Sequence, residues 1–172
     1  MLQLILGGAR SGKSRLAEQI AKETGLSVIY IATAQALDTE MQQRIAHHQQ
    51  QRPSDWQVFE EPIFLADRLL QCDQANQLIL VDCLTLWLTN LLLDEDPALQ
   101  QQQMQKLFEV LPQLQSQIIL VSNETGLGVV PMGEISRRFV DEAGRLHQTL
   151  GQLANKVMFC VAGFPMILKD EK

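Results

Sequence analysis

Short apolar runs alternate along the chain with longer segments in which apolar residues recur at helical spacing. The apolar runs predict β-strands at residues 2–6, 28–31, 78–81, 118–121 and 157–161. The segments of mixed polarity predict helices at residues 13–24, 39–51, 63–71, 84–93, 97–115 and 133–154. Because strands that alternate with helices assemble into a parallel sheet covered on both faces, the pattern predicts a three-layer α/β fold with a mostly parallel central sheet.

Length, composition and charge favour one globular domain over residues 1–172. Hydrophobic residues make up 46% of the 172 residues, which is enough for a substantial apolar core. The formal net charge is -6, whereas proteins that bind nucleic acid present clustered Lys and Arg to the phosphates. We therefore expect no nucleic-acid partner.

The cysteines indicate the redox state of the compartment, and the most apolar window indicates whether the chain crosses a membrane. Cys72, Cys83 and Cys160 show no CxxC spacing and no close pair, so they are expected to be core residues in a reducing compartment, the cytoplasm. The most apolar window, residues 78–93, contains Asp82 and Asn90, whose burial in lipid is costly. It predicts a strand followed by a helix and no stable membrane insertion.

The segment LILGGARSGKS, residues 4–14, matches the GxxxxGK[ST] pattern of a phosphate-binding loop between a predicted strand and a predicted helix. Backbone N–H groups at such a helix N-terminus converge on phosphate oxygens. The predicted phosphate-binding residues are Gly7, Gly8, Ala9, Arg10, Ser11, Gly12, Lys13 and Ser14. Lys13 is expected to contact the β and γ phosphates as a catalytic residue, and Ser14 to ligate Mg²⁺. The alternative, a chance match in a glycine-rich turn, is disfavoured because strand, loop and helix coincide. A P-loop NTPase fold of the RecA-like type follows.

A second candidate for the metal site is Asp82, which ends the apolar run LILVD. A carboxylate in this position holds Mg²⁺ directly or through water in P-loop enzymes. The alternative role is that of an N-cap for the helix that follows.

The segment RIAHHQQQRP, residues 44–53, contains two adjacent histidines. At about 100° per residue, His48 shares a helical face with Met41 and Ile45, whereas His47 points to the other side. A histidine on an apolar face is commonly a core residue, and that alternative stays open here. Arg44 and Arg52 lie one turn before and after His48, however, and two cations would keep an imidazole neutral and nucleophilic and would hold phosphate oxygens.

Together with the phosphate loop, six later segments, taken in order, resemble one family from end to end. They are YIATAQALDTEMQQRIAHHQQQRP, FEEP, VDCLTLWLTNLL, SNETGLGVVP, RRFVDEAGRLHQ and VAGFPMILK. That family is the bifunctional adenosylcobinamide kinase / adenosylcobinamide-phosphate guanylyltransferase family of cobalamin synthesis. The resemblance implies phosphorylation of adenosylcobinamide by ATP or GTP. It also implies transfer of GMP from GTP, through a guanylyl-histidine, to adenosylcobinamide phosphate.

The resemblance also implies roles for individual residues. His48 would be the nucleophile. The residues lining the nucleotide site would be Ala32, Thr33, Ala34, Gln49, Gln50, Gln51 and Arg52, with Glu60 and Asp82 binding the guanosine nucleotide. Glu60 would accept hydrogen bonds from guanine. The family further suggests a homo-oligomer, with a trimer as the expected form. One departure is His147 in GRLHQ, where asparagine is expected.

Two other functions are compatible with a phosphate loop. The first is a plain small-molecule kinase in which His48 is structural and no covalent nucleotide forms. The second is a nucleotide-dependent switch, but the chain has no [NT]KxD motif for reading a base, and Asn123–Glu124 is the nearest polar pair. Trp87, in the apolar helix, either packs between subunits or is buried inside the monomer.

Overall fold

The computed structural model describes residues 1–35, 53 and 55–171. The strands in this part of the chain are β1 (Leu2–Gly7), β2 (Ser27–Ala32), β3 (Gln57–Glu60), β4 (Gln77–Asp82), β5 (Gln117–Asn123), β6 (Lys156–Val161) and β7 (Phe164–Asp170). The α-helices are α1 (Lys13–Glu23), α2 (Leu65–Cys72), α3 (Leu84–Leu92), α4 (Leu99–Val110) and α5 (Glu134–Leu153). A 3₁₀ turn at Leu111–Gln113 follows α4.

The strands form one sheet in the order β3-β2-β4-β5-β1-β6-β7. All neighbouring pairs are parallel except β6 and β7, which are antiparallel. The strand that leads into the phosphate loop, β1, is therefore central, with β5 on one side and β6 on the other. This confirms the predicted mostly parallel sheet.

Two apolar clusters lie on opposite faces of the sheet, because successive side chains of a strand point to opposite sides. Leu4 and Leu6 of β1 belong to the cluster that packs against α2, α3, α4 and α5. Ile5 belongs to the second cluster, which contains Ala17 and Ala21 of α1. The small residues of α1 let that helix lie close to the sheet, which places its N-terminus at the end of β1.

The five predicted strands are confirmed, and β3 and β7 are additional. β3 is a four-residue edge strand, and Val58 in it is 44% exposed. β7 contains Pro165, which an edge strand tolerates because one side of its backbone has no strand to bond. The predicted helix at 97–115 is shorter, since the α-helix ends at Val110 and Pro112 lies in the 3₁₀ turn. The predicted helix at 39–51 lies outside the described residues.

The most apolar window forms β4 followed by α3, as predicted. Trp87 is completely buried, and its indole N–H donates to the carbonyl of Ile63 over 2.8 Å. Of its two predicted positions, burial inside the monomer is the one observed. In the described part of the chain, no helix has the length and apolarity needed to cross a membrane.

Candidate nucleotide site

The phosphate loop connects the end of β1 to the start of α1. Gly12 precedes the helix with φ of 94°, a left-handed conformation that favours glycine. The Lys13 ammonium donates to the Gly8 carbonyl over 3.3 Å, and the Ser11 N–H donates to the same oxygen over 3.2 Å. Lys13 is only 8% exposed. The side-chain cation is therefore held inside the curve of the loop.

The turn between β6 and β7 packs directly on the phosphate loop. The Gly163 N–H donates to the Ser11 carbonyl over 2.8 Å, and the Cys160 thiol donates to the same oxygen over 3.1 Å. A Cβ on Gly7 would lie 2.6 Å from the Cys160 carbonyl oxygen, and a Cβ on Gly12 would lie 3.1 Å from the Gly163 Cα. Both glycines are thus required for packing against this turn, in addition to any contact with phosphate.

Sheet register brings the other predicted residues to the same edge as the loop. Ala32 of β2 is paired with Glu60 of β3 on one side and with Asp82 of β4 on the other. Gly7 of β1 is paired with Asn123 of β5. Because all these strands are parallel, their carboxyl ends form one edge, where open α/β sheets bind ligands. Ala34 lies just beyond β2 and is partly buried.

Asp82 is held in place by β2. Its carboxylate accepts a hydrogen bond from the Tyr30 hydroxyl over 3.1 Å. The Thr33 hydroxyl donates to the Cys83 carbonyl over 2.7 Å and accepts from the Cys83 N–H over 3.0 Å, across a cis Asp82–Cys83 peptide bond. Thr33 is fully buried, so its hydroxyl fixes the backbone beside Asp82.

The alternative role of Asp82, as an N-cap, is wrong. The residue before α3 is Cys83, and no side chain caps this helix. The Asp82 carboxylate instead lies at the end of β4 against Tyr30. It is only partly buried, which leaves it accessible at the edge of the sheet.

The two glutamates of FEEP, Glu60 and Glu61, have different surroundings. The Glu61 carboxylate accepts from the Phe64 N–H over 2.8 Å and lies 3.6 Å from the guanidinium of Arg68. It therefore belongs to the turn that leads into α2. Glu60 ends β3 and is exposed, and its carboxylate has no hydrogen-bonding partner among the residues that the structure describes. Its carboxylate is free of these local contacts.

The residues present fit a magnesium ion by the chemistry of their donor atoms. Ser14, in the first turn of α1, and Asp82 supply a hydroxyl and a carboxylate oxygen, the hard ligands that Mg²⁺ prefers. Within residues 1–35, 53 and 55–171 no group of three or more His, Cys, Asp and Glu could hold a metal. One carboxylate with phosphates and water is the usual environment of Mg²⁺ in nucleotide enzymes.

The remaining predicted site residues, His48, Gln49, Gln50, Gln51 and Arg52, lie outside the described residues, so their placement stays a prediction. Sequence reasoning missed the Tyr30 hydroxyl and the Cys160–Gly163 turn as parts of the site. Both contacts link positions distant in sequence, and no local motif marks them.

The His147 side chain points into the protein interior. The ring is 8% exposed, its Nε2 is 2.8 Å from the Ser122 hydroxyl, and its Nδ1 is 3.5 Å from the Glu124 carboxylate. A carboxylate only accepts hydrogen bonds, so we assign the proton of the neutral ring to Nδ1, with Nε2 accepting from Ser122. Burial lowers the pKa of His147, and the opposing effect of Glu124 only partly offsets it. His147 thus supports the end of β5 through Ser122 and the residue Glu124 that follows the strand.

Acidification is expected to destabilise the chain through His147. In the unfolded chain a histidine gains its proton near pH 6.5, whereas the folded ring has a lower pKa. The unfolded state therefore binds more protons, and stability falls as the pH drops below about 6.5 towards the folded pKa. His147→Asn removes this contribution. Urea unfolding between pH 8 and pH 5 should show that the wild type loses more stability than the variant; parallel curves would contradict the assignment.

Comparison with known proteins gives a family match over nearly the whole chain. The family model described as cobinamide kinase / cobinamide phosphate guanyltransferase matches residues 3–168. The bifunctional adenosylcobalamin biosynthesis protein CobP of Pseudomonas aeruginosa is 60% identical over 99% of both chains. The corresponding CobU protein of Escherichia coli strain K12 is 40% identical over 98% of this chain and 100% of its own.

Solved structures confirm the fold. A protein of Pyrococcus horikoshii OT3 matches 99% of this chain and 87% of its own, with a TM-score of 0.58 and 11% identity. A DnaB-like replicative helicase matches 96% of this chain and 53% of its own, with a TM-score of 0.52 and 12% identity. These likenesses support the mostly parallel α/β fold alone. The family match over nearly the whole sequence goes further: the chain belongs to the cobinamide kinase / cobinamide phosphate guanyltransferase family.

Proposed function

We propose that this chain catalyses both reactions of its family at one nucleotide site. In the first, the aminopropanol hydroxyl of adenosylcobinamide attacks the γ-phosphorus of ATP or GTP, so that a new P–O bond forms and the nucleoside diphosphate leaves. In the second, His48 attacks the α-phosphorus of GTP and pyrophosphate leaves. A phosphate oxygen of adenosylcobinamide phosphate then displaces the histidine, giving adenosylcobinamide-GDP.

The observation that carries the proposal is the common edge of the sheet. Parallel register places the phosphate loop after β1, Asp82 at the end of β4 and Glu60 at the end of β3 along this edge. With neighbouring strands about 4.8 Å apart, the edge from β1 to β3 is long enough for a nucleotide lying along it. Its phosphates would meet Lys13, and its base would approach Glu60.

Ser14 and Asp82 are the proposed ligands of Mg²⁺. When bound with the nucleotide, the ion would neutralise charge on the phosphates. The chain itself supplies the Lys13 ammonium, held by the Gly8 carbonyl, and the backbone N–H groups at the start of α1. The two reactions attack different phosphorus atoms, so we expect either the nucleotide or the histidine segment to shift between them.

Glu60→Gln should weaken GTP binding more than ATP binding. A carboxylate accepts from guanine N1–H and N2–H₂ together, whereas glutamine replaces one acceptor by a donor. Loss of a hydrogen bond to a charged group corresponds to about 1 to 3 kcal/mol, which calorimetric titration of both nucleotides would measure. Glu61→Gln is the matched control, since Glu61 belongs to the turn before α2. Equal losses for GTP and ATP in Glu60→Gln would show that this carboxylate does not read the base.

The test of both activities is product analysis. Purified protein is incubated with adenosylcobinamide, ATP and Mg²⁺, GTP is then added, and the corrinoid products are identified by mass spectrometry. Sequential appearance of adenosylcobinamide phosphate and adenosylcobinamide-GDP is expected. Accumulation of the phosphate alone would indicate a plain kinase, and unchanged corrinoid would refute the proposal.

We further propose that the chain works as a homo-oligomer, with a trimer as the expected form, in the cytoplasm. Family membership supports the assembly. Cys72, Cys83 and Cys160 are all free thiols, as expected in a reducing compartment. Sedimentation equilibrium of the purified protein would measure the stoichiometry.

A further inference from the structure

A concave apolar cavity of about 440 Å³ lies between α3 and α5. Its apolar lining includes Leu92, Leu93, Ile135, Phe139 and Val140. Three hydroxyl-bearing residues, Thr89, Thr125 and Ser136, also line it. An apolar concavity with a few polar groups is the usual form of a site for a small molecule.

The cavity adjoins the phosphate loop through the end of β5. The Glu124 N–H donates to the Gly7 carbonyl over 3.0 Å, and Thr125, the next residue, lines the cavity. On the other side, the Asn123 N–H donates to the Thr85 hydroxyl over 3.1 Å, and Thr89 follows one helical turn later. Because α3 and α5 cover the face opposite α1, the cavity approaches the phosphate loop from the face opposite the loop's own helix.

The loop between β5 and α5 extends this apolar surface. Leu127 is 80% exposed, Val129 is 96% exposed and Met132 is 95% exposed. The Arg137 guanidinium donates to the Pro131 and Met132 carbonyls, which ties the loop to α5. Large apolar side chains that are this strongly exposed beside an apolar cavity are typical of a surface that binds a ligand or partner.

We propose that this cavity and the adjoining loop, residues 125–132, hold the corrinoid acceptor. The proposal rests on the function proposed above. A corrin macrocycle has apolar, methyl-bearing edges and peripheral amides, and it is larger than the cavity. It fits with one edge in the cavity and the ring lying across Leu127, Val129 and Met132, while the hydroxyls of Thr125 and Ser136 bond to its amides. In that position its reactive side chain lies beside the end of β1. The other occupant to be tested is a second copy of this chain.

The test compares two isoleucines of similar exposure. Ile135, at the cavity, is 54% exposed, and Ile167, on the edge strand β7, is 57% exposed. Ile135→Glu should weaken adenosylcobinamide binding about tenfold or more, because a carboxylate must be desolvated against the ring. Ile167→Glu should leave it unchanged. A glutamate in the first turn of α5 is compatible with the helix dipole, and the pair Ile135→Ala and Ile167→Ala gives a milder version of the comparison.

Corrinoid affinity is measured by equilibrium dialysis, and each variant is also labelled with GTP alone and examined by sedimentation. If Ile135→Glu binds the corrinoid as tightly as the wild type, the proposal is overturned. If its sedimentation changes in that case, the surface is assigned instead to contacts between copies of the chain. Labelling by GTP requires no corrinoid, so normal labelling with selective loss of corrinoid affinity supports the proposal. If the wild type neither binds nor modifies the corrinoid, the proposed function itself has failed.

Discussion

Lys13→Ala should lower both the kinase and the guanylyltransferase rates by a factor of roughly 10² or more, the size expected for loss of a preorganised electrostatic contact. The ammonium is nearly buried inside the phosphate loop and already bonds to the Gly8 carbonyl. Under the proposed function, this charge is held where negative charge develops on the transferred phosphates. Initial rates of both reactions at saturating nucleotide measure the effect.

Lys22→Ala provides the matched control, because Lys22 lies in the last turn of the same helix and is exposed. It should retain both rates. Circular dichroism would show whether Lys13→Ala is folded. If the folded variant kept near-normal rates, Lys13 and its loop would have no role in the mechanism.

His48→Ala should abolish covalent labelling by GTP and guanylyl transfer, while leaving much of the kinase activity. Phosphorylating a hydroxyl requires the phosphate loop, Mg²⁺ and substrate positioning, but no covalent bond between enzyme and nucleotide. With Mg²⁺ and GTP, the wild type should gain one GMP per reactive chain, as shown by intact mass. The label should be acid-labile and base-stable, because a P–N bond hydrolyses when its nitrogen is protonated.

His47→Ala is the control, since the helical spacing predicts that the His47 side chain points away from the face that carries His48. It should keep the label. If His48→Ala were still guanylylated and His47→Ala were not, the face assignment would be wrong. If neither substitution affected transfer, the covalent mechanism would be excluded.

The phosphate loop was predictable because its determinants are local. An apolar strand, two spaced glycines and a helical pattern follow one another within residues 2–24. The position of Asp82 at the end of β4 was predictable for the same reason, because a polar residue directly follows an apolar run. The family resemblance supplied Glu60, and the register of β3 beside β2 then placed that residue on the same edge of the sheet.

The elements that the sequence did not reveal depend on distant contacts. β3 has only four residues, three of which are exposed, so it contains no apolar run to mark it. β7 combines a proline with apolar side chains that remain exposed at the edge. The inward position of His147 depends on Ser122, 25 residues away in sequence. Such pairings follow from the assembled sheet and leave no local signature.

The contact between the Gly163 N–H and the Ser11 carbonyl has a consequence for biosynthesis. The phosphate loop precedes in sequence the turn that packs on it, so the loop is synthesised well before that turn. β1 also pairs with β5 and β6, both from the second half of the chain. The packing around the phosphate loop is therefore completed only after β6 and the turn that follows it have been synthesised, so we expect bound nucleotide to contribute little to earlier stages of folding during translation.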